Sequence, residues 1–246
     1  MNGFIGKRSA AGVLGVVAMM VAVSGCDSDA ASGSEPRISV VGSISHSWYR
    51  DERPILRHQN DAARRRQWVL TADGVELYEL STGEQLAQIA LPDWLWVGRQ
   101  FASPPAFAIG PRGEVIVSSN VVPTLWRIDP VTLVASKHDL AIEDSAGRDI
   151  GFTALAYSAQ QGAYFAVSPS PGSLWRIDPQ LGRAQSIPLS ASLPNASGLA
   201  IPPRTPNQRV SRGVGLCVRS EQGDWTVNLA PDQRSGYVRA GQCRIS

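Results

Sequence analysis

Histidine, cysteine, carboxylate and indole side chains are where chemistry would start, and their spacing decides which chemistry is open. The chain has three histidines, His46, His58 and His138, too scattered for a paired metal or acid–base motif. It contains no H-E-x-x-H, G-x-S-x-G, Walker loop or C-x-x-C. The acids of "EDSAGRD" (residues 143–149) miss the alternate-position spacing of a calcium loop and read as a solvated turn. Trp94 and Trp96 stand two apart in "DWLWVGRQF", with Arg99 close behind. An extended segment would point both indoles the same way, and Trp and Arg are enriched where partners bind. The other reading of these indoles is that they fill a wedge inside the fold. The spacing supports recognition rather than catalysis: no enzyme activity, no metal and no cofactor is expected.

The N-terminus supplies an address. Lys7 and Arg8 precede an uncharged apolar run over residues 13–23, followed by "VSGC" at residues 23–26. A basic start, a short apolar stretch and small residues form a secretory signal, and the run is too short to cross a hydrocarbon core of about 30 Å. "VSGC" resembles the lipobox of bacterial lipoproteins. That resemblance implies removal of residues 1–25 and lipidation of Cys26 as the mature N-terminus. Several acyl chains give a durable tether where one holds only marginally. The implied place is the bacterial cell envelope, facing the periplasm. Asp27 resembles the inner-membrane retention signal of enteric bacteria, and inner and outer membrane both stay open.

Residues 26–36, Cys26 followed by "DSDAASGSEP", are small and polar, unable to bury enough surface to order themselves, and so read as a flexible tether. The folded domain is expected over residues 37–246. Of 23 Lys and Arg residues, Lys7 and Arg8 fall in the leader, leaving 21 against 21 Asp and Glu. A neutral chain exerts no general pull on nucleic acid or anionic lipid, so nucleic acid is not an expected partner and the membrane is met through the anchor alone. "ARRR" (residues 63–66) reads as a solvated basic loop.

What positions these residues is a repeat. "LWRIDP" occurs at residues 125–130 and again at 174–179. Around it "VELYELSTGEQLAQIAL", "TLWRIDPVTLVASKHDL" and "SLWRIDPQLGRAQSIPL" match in pattern, with Leu77, Leu125 and Leu174 spaced by 48 and 49. A short apolar run lies about eight residues before each (residues 68–70, 115–117 and 164–167), and "AFAIGP", "ALAYSA" and "GLAIPP" lead successive units. Each unit reads as four short strands cut by Gly, Pro, Asp and Ser, and the Asp-Pro pairs close the third strand because proline cannot donate to a ladder. Period two places Trp126 with Ile128, and Trp175 with Ile177, on one face. Four strands in a unit of about 40–50 residues make a propeller blade.

"GLAIPP", "EVIVSS" and "LWRIDP" resemble the NHL, YVTN and gluconolactonase-type propeller repeats. The resemblance covers about residues 67–203 and implies an all-β propeller, four blades by length with five also possible. No clear first strand is legible before Gln67; "ISVVGSI" (residues 38–44) is a candidate for it or for closing the ring. "VGLCVRS", "DWTVNLA" and "GYVRAGQCRI" read as a divergent last blade. "LPNASGLAI" resembles the phrase whose Asn binds metal in gluconolactonase-type propellers, which would put Asn195 there. Ala196 and Ser197 break that phrase, and its companion motifs are missing.

The function expected is a lipid-anchored, non-enzymatic binding or scaffold protein with an envelope protein as partner. The alternatives are a periplasmic inhibitor or immunity-type protein, and a metal hydrolase of the gluconolactonase type. The inter-blade loops, including "DWLWVGRQF", "EDSAGRD" and Asn195, are expected on one face.

Export also makes Cys217 and Cys243 candidates for a disulfide. On second and fourth strands of one blade they would lie about 9.5 Å apart, beyond the roughly 7 Å a bond allows. Either the last blade is irregular at its end and bonded, or it is regular with two thiols; we adopt the bonded form. Non-reducing peptide mapping of the purified protein is expected to return a linked Cys217–Cys243 peptide, whereas two free thiols would refute it.

Overall fold

Strands of four to seven residues cannot stand alone; they gain stability only as sheets with a buried face. The structure, a computed structural model, describes residues 54–96, 104–143, 150–169, 172–193, 195–202, 215–230, 232 and 234–241. All belong to the unit Tyr49–Ser246. They form a four-bladed β-propeller. Blade 1 holds β1 (Ile55–Asp61), β2 (Arg66–Thr71), β3 (Gly74–Glu79) and β4 (Gln85–Ile89). Blade 2 holds β5 (Phe107–Ile109), β6 (Val115–Ser118), β7 (Thr124–Ile128) and β8 (Ala135–Asp139). After β9 (Ala141–Ile142), blade 3 holds β10 (Ala154–Ser158), β11 (Ala163–Val167), β12 (Leu174–Ile177) and β13 (Arg183–Ile187). Blade 4 holds β14 (Ala196–Ala200), β15 (Gly215–Ser220), β16 (Gly223–Leu229) and β17 (Gly236–Ala240). The helical content of the described residues is one 3₁₀ turn, Ala62–Arg64.

The repeated phrase is the third strand of a blade, and its first two residues feed different cores. Leu125 of β7 packs toward blade 3 while Trp126 and Ile128 pack toward blade 1. In β12, Leu174 packs toward blade 4 and Trp175 with Ile177 toward blade 2. Trp225 of β16 keeps the same sense, toward blade 3. Full burial of one such side chain contributes about 1.5–3 kcal/mol.

The Asp-Pro at the end of the phrase is a turn device. Asp129 Oδ1 accepts from the amides of Val131 (2.9 Å) and Thr132 (2.8 Å). Asp178 accepts from those of Gln180 (2.8 Å) and Gly182 (3.1 Å). Glu79 does the same in blade 1, its Oε2 accepting from Ser81 (2.6 Å) and Thr82 (2.8 Å). Each turn then passes through a left-handed residue, Gly83, Leu133 and Leu181 in turn. The proline carbonyls face the preceding blade: Arg66 Nη1 donates to Pro130 O (2.7 Å), and Arg127 Nη2 donates to Pro179 O.

Two sequence expectations change. A first strand does precede Gln67: "ILRHQND" is β1, paired with β2 with a register shift between Ile55 and Arg57. It lacks apolar alternation because it lies at the axis, where Arg57 and His58 line a cavity rather than a core. "ISVVGSI" lies outside the described residues. The outer edge of blade 3 carries an extra strand, β9, paired in parallel with β13. The segment leaving blade 3 runs parallel to β17 in the same way, through the bridge of Leu189 to Gly236. Covering an edge in this manner removes a template for aggregation. In blade 4 the fourth strand ends at Ala240. Cys217, on β15, is disulfide-bonded; Cys243 lies outside the described residues.

The turn carboxylates give a pH dependence. The Ser81 hydroxyl and the Ser81 and Thr82 amides, aided by Arg65, hold Glu79 at about 2, against an ordinary 4.5. The Asp129 carboxyl is lowered by the Thr132 and Val131 amides. A carboxylate with a depressed folded pKa stabilises above its unfolded pKa, and this stability is lost as pH falls toward the folded value. The melting temperature is therefore expected to hold at neutral pH and fall from about pH 4.5 toward pH 2. Glu79→Gln should lower the plateau and flatten the acid limb; an unchanged limb would remove Glu79 from the account.

Candidate binding face

The segment from β4 to β5 leaves blade 1 through a tight turn: the amide of Trp94 donates to Leu91 O (3.1 Å), with Asp93 left-handed at φ 54°. The turn is locked by two indoles. Trp94 Nε1 donates to Ala72 O (2.8 Å) in the turn between β2 and β3, and Trp126 Nε1 donates to Pro92 O (2.7 Å). Their rings meet edge-on, centroids 5.0 Å apart at 80°, an arrangement favoured beyond simple area burial. Asp93 also accepts from Lys137 Nζ of β8 (3.1 Å). Trp94 is therefore a wedge between blades 1 and 2.

The same wedge sets the exposure of the next two residues. Leu95 is 78% exposed, and Trp96 is half-buried beside it. Arg99 lies outside the described residues. Sequence spacing selected the two indoles and missed Leu95, the most exposed of the three. The signal was there, since in an extended segment the residue between two that share a face points the other way.

Neighbouring loops share this face. Phe152 donates its amide to Ser119 O (2.7 Å), and Leu193 donates to Gly172 O (2.8 Å). At Gly172, φ is +77° and a Cβ would come within 2.5 Å of the Leu193 backbone, so glycine permits this approach of two loops. Of "EDSAGRD", Glu143 pairs with Arg183 (3.1 Å) and the remainder lies outside the described residues. Asn195 has a left-handed φ of 51° just before β14.

At the axis, the inner strands β1, β5, β10 and β14 line a cavity of about 180 Å³. Arg57 spans it from blade 1, donating from Nε to Pro105 O (3.2 Å) and from Nη2 to Thr153 O (3.1 Å). Burial lowers the pKa of its guanidinium, yet arginine keeps its charge there. Thr153 Oγ1 in turn donates to Ala196 O (2.6 Å), and Ser118 Oγ to Phe152 O (2.8 Å). The axis is a belt of polar links between blades, with Arg57 as its cation. Among the described residues, no three His, Cys, Asp or Glu side chains converge as metal ligands. His58 lies on β1 at this cavity, and His138 lies on the outer strand β8 beside Ser136 Oγ (3.0 Å).

No family model and no curated protein matches the chain. Solved structures share its fold. The WD40 repeats of RRP9 superpose with a TM-score of 0.51 at 10% identity, over 78% of this chain and 52% of that one. U3-55K gives 0.51 at 10%, over 78% and 54%. Virginiamycin B lyase from Staphylococcus aureus gives 0.50 at 11%, over 74% and 53%. The chain spans about half the length of each of these structures, and at this identity the likeness is one of fold: a β-propeller.

Proposed function

We propose that the chain is a lipid-anchored, non-enzymatic binding protein of the bacterial cell envelope, docking an envelope protein on the loop face around Leu95 and Trp96. The observation that carries this reading is the pair of interlocked indoles, Trp94 and Trp126, which braces an exposed apolar tip. A rigid anchor loses little conformational entropy on docking, and a central apolar or aromatic side chain is what dominates binding energy. The leader, the lipobox-like "VSGC" and the polar tether support attachment through Cys26 and presentation away from the membrane. Arg99 follows Trp96 by three residues in sequence, and a cation there would suit the same docking role. A bond between Cys217 and Cys243 would fasten the end of blade 4 in that oxidising compartment.

Two substitutions separate bracing from docking. Trp94→Ala removes a wedge and a hydrogen bond, and is expected to cost about 3 kcal/mol. In a domain of this size that lowers the melting temperature by roughly 6–12 °C. Trp96→Ala should leave the melting temperature nearly unchanged while abolishing capture of one stoichiometric partner from envelope extract by the full lipidated chain. If Trp96→Ala and Leu95→Ser both capture as wild type does, the docking face is elsewhere. Capture of no stoichiometric partner by wild type would refute the binding role.

A further inference from the structure

The turns at the opposite ends of the strands hold a second feature that the loop face does not use. Between blades 2 and 3 lies an open cavity of about 330 Å³, walled by Pro111, Tyr157, Tyr164 and Pro179, with Arg112, Glu114 and Arg127 as its charged groups. Glu114 is buried, only 4% exposed. Its Oε2 accepts from the Arg112 amide (2.8 Å), and its Oε1 accepts from Tyr164 Oη (3.3 Å) with Arg112 Nη2 at 3.7 Å. A carboxylate has about four lone-pair sites, so Glu114 keeps acceptor capacity toward the cavity. Burial and then the Glu114 charge push the Tyr164 phenol up, which keeps it a protonated donor. Tyr157 and Tyr164 stand with ring centroids 4.9 Å apart. Such rings attract a cation through their faces.

Arg127 supplies the opposite charge. One of its terminal nitrogens donates to Pro179 O, but its Nε is buried with no hydrogen-bond partner. An unmet buried donor on a cation is costly and needs a reason. The surroundings are built to keep the space open. At Gly110 a Cβ would collide with the Tyr164 hydroxyl and the Glu114 carboxylate. The turn at Arg112 is held from outside by Arg64, whose Nη2 donates to Arg112 O (2.6 Å), and Arg64 is itself held by Asp61 (3.1 Å).

We infer that this cavity binds a small free amino acid, its ammonium against Glu114 and the tyrosine rings, its carboxylate against the Arg127 guanidinium and the mouth residue Arg112. One buried anion and two cations match a zwitterion, or one with an added acid, rather than a simple cation. The volume is at the low end of ligand cavities, about 300–1,000 Å³, and suits a single amino acid rather than a peptide.

The test is calorimetric titration of the purified full chain with glycine, L-leucine, L-phenylalanine and L-glutamate, each also as its N-acetyl and carboxamide form. At least one free amino acid should bind, with both derivatives at least tenfold weaker. Arg127→Gln and Glu114→Gln should each weaken binding at least tenfold, with folding checked by urea midpoint. Tyr237→Phe, on the outer strand of blade 4 and 58% exposed, should fold and bind as wild type. No binding of any of the four at millimolar concentration overturns the inference. So does binding that survives N-acetylation, or that folded Arg127→Gln retains in full.

Discussion

A four-stranded blade has two faces to bury and only one sheet with which to do it, so the rest of the molecule is organised by stacking. The third strand solves the problem by sending leucine one way and tryptophan the other. Leu125 and Trp126 enter different cores, as do Leu174 and Trp175. Apolar packing sets no register by itself, because it is not directional. Register between blades is added by the polar links: arginines of one blade on proline carbonyls of the next, and Arg57 across the axis. The indole that locks the Pro92 turn is the same Trp126 that fills the first core. The candidate face is thus an extension of the stack rather than an appendage to it.

Much of this architecture is legible in the residues. The 48- and 49-residue spacing and the Asp-Pro after the third strands of blades 2 and 3 give the blade unit, strand order and turn positions. The missed elements share a cause. β1 carries Arg57 and His58 where an alternating apolar pattern would be sought, because it faces an axis and not a sheet. β9 is two residues long, and its pairing with β13 rests on main-chain bonds that no side-chain period records. "ARRR" reads as solvated, and Arg65 does pair at the surface with Glu79 (3.0 Å). Arg64 and Arg66 instead reach across to blade 2.

The site is harder to read than the fold. Spacing marks Trp94 and Trp96 as a pair, but only a turn with a left-handed Asp93 makes one a brace and exposes Leu95 between them. The cavity between blades 2 and 3 has no sequence signature at all. Glu114, Arg127 and Tyr164 fall in different strands or turns, and they meet because two blades stack with a glycine at position 110. Chemistry assembled across a repeat boundary is invisible to a pattern that describes each repeat separately.

Among the described residues three apolar cores join four blades, and the remaining faces of the end blades are more polar. On blade 1 that face carries Gln67, Val69, Thr71 and Glu76, the first three buried; on blade 4 it carries Cys217, Arg219, Asp224 and Thr226. Energetically the molecule is a linear array bent into a circle. Among the described residues, its middle blades each share two apolar cores and its end blades one. Cooperative unfolding units in such an array peel from the ends, leaving β7 and β12 as the last amides to exchange with solvent. The cavity between blades 2 and 3 sits at the centre of that gradient, in the part of the chain least prone to open.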